Sequence, residues 1–160
     1  MSDPNAEAHH FATHLVWTGA EKGATISYEA YSREHRIDIE GKPSLVGSAA
    51  PAFRGDPTLH NPEDLLVAAL SSCHCLSYLA LCARSRITVL DYEDRATGTM
   101  ARVDGVTRFT EAVLRPRVTV AAGTDVDKAR ALHARAHSIC FIASSVNFEV
   151  RNEPEIVVRA

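Results

Sequence analysis

Cysteine is the most readily oxidised residue type in this chain of 160 residues, which holds four: Cys73, Cys75, Cys82 and Cys140. A thiolate can attack a peroxide oxygen, become a sulfenic acid and condense with a second thiol to a disulfide. One attacking and one resolving cysteine are enough for that chemistry. Cys73 stands in Ser71-Ser72-Cys73-His74-Cys75, inside a largely apolar run, where a cysteine also reads as a small buried hydrophobe. Cys75 and Cys82 would share a helix face about 160° from Cys73 and read as packing residues. Cys140 closes the run His137-Ser138-Ile139-Cys140, where the negative end of a helix dipole disfavours a thiolate. That position suits a resolving thiol better than a first nucleophile.

A metal site is the competing chemistry. His133, His137 and Cys140 fall at i, i+4 and i+7, a spacing that can turn three donors toward one ion. The chain has eight histidines, however, and no CxxC pair stands near them. Half-buried polar residues flanking an apolar stripe account for the pattern more simply.

The elements that must hold these residues can be read from periodicity and breakers. Phe11 to Trp17 and Ala24 to Tyr31 are strand-like, joined by a turn at Gly19 and Gly23, and Arg36 to Glu40 alternates again. Pro51 to His60 reads as loop. Asn61 as N-cap, Pro62 at the first helical position and the acidic Glu63 and Asp64 predict a helix running to about Arg84. Strands are predicted at Val89 to Met100 and Arg108 to Val120 about a turn at Asp104-Gly105. Thr124 and Asp127 resemble a capping box, opening a helix with Val126, Ala129, Leu132, Ala136 and Ile139 as its buried stripe. Val146 to Val150 and Ile156 to Val158 close the chain as strands. This order predicts an α+β fold in one domain over 1–160, with 1–10 as a flexible start.

Composition narrows the function classes. A net charge of −3 gives no electrostatic case for nucleic acid. Hydrophobic and charged contents of 46% and 23% are those of a globular protein. The polar opening from Met1 to His10 lacks a signal-peptide pattern, so a cytoplasmic protein with reduced thiols is expected. Leu65 to Ala83 carries no formal charge and is long enough to span a bilayer. The polar Ser71, Ser72, His74 and Ser77 at its centre favour the buried axis of a domain instead.

Asn61-Pro62-Glu63-Asp64-Leu65-Leu66, then Ala68-Ala69, then Cys73, resembles the first cysteine helix of the OsmC/Ohr family (osmotically inducible protein C, organic hydroperoxide resistance). Ala136-His137-Ser138-Ile139-Cys140 is similar to that family's second cysteine motif. The resemblance implies curved antiparallel sheets wrapped around two central helices in an intertwined homodimer. It also implies a thiol peroxidase acting on organic hydroperoxides, with no bound cofactor and a lipoyl-type or small-thiol dithiol as reductant. By it, Cys73 is peroxidatic and Cys140 resolving, Glu63 is the motif glutamate, and Arg54 in Phe53-Arg54-Gly55 is the arginine beside the thiol. Arg33 and Arg36 are the reserves for that arginine. Two residues depart from the pattern: Phe141 replaces the usual proline, and His74 the usual aromatic or apolar residue. The alternatives are a non-catalytic protein for hydrophobic ligands and a metal-binding protein using His133, His137 and Cys140.

Glu63 and Cys73 would stand about 15 Å apart along one straight helix. Both cannot easily touch one small peroxide. Either the helix breaks between them or another subunit completes each site.

Overall fold

In the computed structural model, which describes residues 8–159, α-helix α1 spans Pro62–Arg84 without a break. The proline at its start has no N–H to lose, and Glu63 and Asp64 sit in the first turn, where the dipole favours them. The chain falls into two compact units, 1–62 and 63–160. Most of the expected flexible start, residues 1–7, lies outside the described residues, while 8–13 have no regular structure.

In the first unit, strands β1 (His14–Val16), β2 (His35–Asp38) and β3 (Leu45–Gly47) form an antiparallel sheet in that order. Leu15 pairs with Ile37, and Arg36 with Val46. Gly19 lies in a short 3-10 turn, Thr18–Lys22. A Cβ on it would meet the Ser32 carbonyl at 2.4 Å, so only glycine lets these segments approach. The strand expected over Ala24 to Tyr31 is absent, replaced by turns and bends. Arg33 explains this. Its guanidinium stacks over the Tyr28 and Tyr31 rings at 4.8 and 3.8 Å and donates to the carbonyls of both residues. Those carbonyls are thus spent on a cation around which the chain folds.

The second unit contains α1 from Glu63 onward, strands β4 (Val89–Asp94), β5 (Thr97–Val103), β6 (Val106–Leu114) and β7 (Pro116–Ala121), helix α2 (Val126–Ile139), and strands β8 (Glu149–Asn152) and β9 (Glu155–Arg159). Two sheets form, ordered β4-β7-β9 and β5-β6-β8. The strands expected as Val89 to Met100 and Arg108 to Val120 are each two, because the chain changes sheet at Arg95-Ala96 and at Arg115. Asp94 stabilises the switch by accepting from the Arg115 N–H at 2.7 Å. Pro116, lacking an N–H, fits the first position of β7. Asp104 and Gly105 both have positive φ, at 51° and 80°, as a two-residue hairpin turn requires. β8 and β9 run parallel to β6 and β7, so the sheets are mixed rather than antiparallel throughout. The long connection through α2 makes parallel pairing available.

α2 starts one residue later than the predicted box: Asp125 is the N-cap and accepts from the Lys128 N–H at 2.9 Å. Thr124 donates to the Ala121 carbonyl instead. Of the expected stripe, Ala129, Leu132 and Ala136 are buried, whereas Ile139 is 42% exposed. The main core joins Tyr78, Leu81 and Cys82 of α1 to Val118 and Val120 of β7 and to that α2 stripe. Each fully buried valine or leucine there contributes about 1.5–3 kcal/mol.

Candidate functional site

α1 presents two faces. Leu70, His74, Tyr78, Leu81 and Cys82 are buried, at three- and four-residue steps with one neighbour. Cys73 lies off that face and is partly exposed, which leaves its sulfur free to meet a second group. That group is Cys140, the C-cap residue of α2. Both are free thiols, close enough for each to bear on the other's ionisation.

Burial, with a smaller contribution from the neighbouring Cys73 thiol, pushes the Cys140 thiol up to about 11. The Ala143 N–H donates to its sulfur at 3.4 Å and pulls the other way, but burial prevails. Cys140 is therefore a protonated thiol at neutral pH. Helix-end geometry had pointed to the same property, but desolvation is the larger cause. Cys75 and Cys82 are likewise pushed up by burial. Cys82 packs with Tyr78 in the main core, as a packing residue would.

Glu63 stands in the first turn of α1, with a buried Oε2 that has no hydrogen-bond partner among the described residues. Arg54 belongs to the first unit. It caps the short 3-10 turn Pro51–Phe53 in left-handed backbone conformation, at φ 65°, and its side chain helps line an open polar cavity with Lys22, Arg33 and Asp56. The reserves are engaged elsewhere: Arg33 with the two tyrosines, and Arg36 with Asp38 at 3.0 Å.

The metal alternative is corrected. Among the described residues, no three histidine, cysteine, aspartate or glutamate side chains gather as ligands. His133 turns into the core, where its Nδ1 lies 3.0 Å from His74 Nε2 and its ring stacks on Tyr78 at 3.8 Å. Burial holds both imidazoles neutral, His74 at about 4 and His133 at about 3. Reading His74 as a departure from a family pattern missed this pair. The available signal was its place four residues from both Leu70 and Tyr78, on the buried face of α1. Phe141, the other departure, is 81% exposed and fills no core position.

The thiol on α1 and the thiol at the end of α2 make a candidate dithiol site on an α+β core. Residues 55–155 match the family model for OsmC-like protein, and the chain belongs to that family. It is 34% identical to an OsmC-like protein of unknown function from Vibrio cholerae, with a TM-score of 0.83 over 92% of this chain and 99% of that one. An organic hydroperoxide resistance protein from Elizabethkingia anophelis shares the fold at 14% identity, with a TM-score of 0.69 over 96% of this chain and 99% of that one. The uncharacterized protein YmaD of Bacillus subtilis is 26% identical over 102 residues, 62% of this chain and 68% of YmaD.

Proposed function

We propose that this protein is a cytoplasmic, homodimeric thiol peroxidase that reduces organic hydroperoxides. The observation that carries the reading is the closeness of the two free thiols of Cys73 and Cys140. The Cys73 thiolate attacks the peroxide oxygen, the O–O bond breaks, and the alcohol leaves after taking a proton. Cys73 is then a sulfenic acid. The sulfur of Cys140 attacks it, water leaves, and the disulfide forms. A dithiol, lipoyl-type or small, returns the two electrons.

Arg54 and Glu63 complete the proposed site. A guanidinium beside Cys73 would favour its ionised form and orient the hydroperoxide, and Glu63 would hold that guanidinium by a charged hydrogen bond. Because α1 is unbroken, Glu63 and Cys73 of one chain remain about 15 Å apart. Of the two ways out of that distance, the second subunit is therefore the one we adopt.

One observation favours the alternative of a non-catalytic protein for hydrophobic ligands. The first unit has a largely apolar cavity of about 370 Å³, lined in part by Leu15, Trp17, Tyr31 and Ala49. One equivalent of an organic hydroperoxide separates the readings. A peroxidase forms a Cys73–Cys140 disulfide and leaves Cys75 and Cys82 free in peptide maps. A bond involving Cys75 or Cys82, or no bond, sinks the assignment. Cys73→Ser should abolish peroxide consumption, whereas Cys140→Ser should allow one turnover and accumulate a trappable sulfenic acid.

A further inference from the structure

The helices that carry the thiols also carry two buried polar contacts between them. His74 on α1 meets His133 on α2 at 3.0 Å, with the side chains 0% and 2% exposed. One turn along, the Tyr78 hydroxyl donates to the Ala129 carbonyl at 3.1 Å. Apolar contacts tolerate small slides of one helix over another. A buried hydrogen bond does not, because the displaced partners would be left without water or each other. Cys73 immediately precedes His74 on α1, and Cys140 lies about two turns beyond His133 at the end of α2. Over so short a span a helix carries a shift at one residue to the next as a nearly rigid body.

We propose that His74 and His133 are positioning residues for the thiol pair: their hydrogen bond sets the α1–α2 register at which the Cys73 and Cys140 sulfurs meet. Neither ring is required to touch a sulfur or to move its proton. The inference rests on reading these thiols as a redox pair, yet its test needs no hydroperoxide.

The full-length protein is equilibrated with reduced and oxidised glutathione, and the Cys73–Cys140 disulfide is quantified by peptide mass spectrometry. The ratio gives the effective concentration of one thiol at the other. His74→Phe keeps a ring in the stack and removes the hydrogen bond. It should lower that effective concentration about tenfold, the factor carried by one buried hydrogen bond of ordinary net strength. His74→Gln places a polar group where Nε2 was and should recover most of the loss. Val118→Ala, in the same core but off both helices, should lower the urea midpoint while leaving the thiol equilibrium unchanged.

An unchanged equilibrium in His74→Phe, or an equal fall in Val118→Ala, overturns the proposal. Hydroperoxide consumption by the wild-type protein is measured alongside. Its absence would count against the peroxidase reading and leave the register result intact.

Discussion

Acid should loosen this fold earlier than its carboxylates alone would allow. In the folded protein His74 and His133 stay neutral down to about 4 and about 3, because burial opposes charge on either ring. In the unfolded chain each protonates near its usual 6.5. Both folded values are depressed, so the unfolded state binds more protons as pH falls. The stability these rings allow is complete above pH 6.5 and is lost progressively as the pH drops toward their folded values. At pH 5 an unfolded imidazole is almost fully protonated while the folded pair is not. That difference amounts to about 2 kcal/mol per ring, or about 4 kcal/mol for the pair. Asp38 and Asp56 lie outside this window, since both are held below the usual carboxylate value. Urea unfolding at fixed protein concentration, from pH 8 to pH 5, measures the loss directly. His74→Phe should halve the acid-dependent loss, although it costs about 1–3 kcal/mol at pH 8 by leaving His133 Nδ1 unpartnered. A wild-type stability that is flat between pH 8 and pH 5, or one that rises on acidification, would refute the argument.

Two further outcomes are expected. Arg54→Ala should slow peroxide reduction at pH 7 with the dimer intact, and mixing it with Cys73→Ser under subunit exchange should restore some activity; a normal rate in Arg54→Ala removes that residue from the mechanism. Asp125→Ala should cost about 1 kcal/mol in urea unfolding through the lost cap on α2, and Thr124→Ala clearly less; the reverse order would return the cap to Thr124.

Local chemistry made some of this structure legible in the sequence. The Asn61-Pro62-Glu63-Asp64 start of α1 and the Asp104-Gly105 turn each rest on a residue type with one strong backbone preference. Cys73 and Cys140 stood out by residue type and motif, although only the fold brings them near each other. The missing strand at Ala24 to Tyr31 failed for a physical reason. Its alternation was present, but Arg33 captured the carbonyls that a strand would have paired. The breaks after Asp94 and at Arg115 were hidden because strand propensity continues across them while the partner sheet changes. His74 and His133 were hardest to see. Each is polar by type, and only the other's position across the helix interface makes burial affordable.

The uncovered side of α1 bears on assembly. The helix is apolar and long enough to cross a membrane by length and composition, yet only 28% of its most apolar stretch is buried within one chain, and Leu76 is 69% exposed. A lipid environment would have to accept what lies on the helix's other side. There His74 and Tyr78 bond to α2, whose exposed positions include Arg130 and Arg135. Charges so close to the axis are costly in hydrocarbon. A second copy of the chain carries no such cost and supplies apolar surface of the same kind. It would also bring a cation to Glu63, whose buried Oε2 has no partner among the described residues. Under the proposed function, covering α1 and completing the site are then one event. Dilution that separates the subunits should expose Leu76 to water and silence Cys73 together.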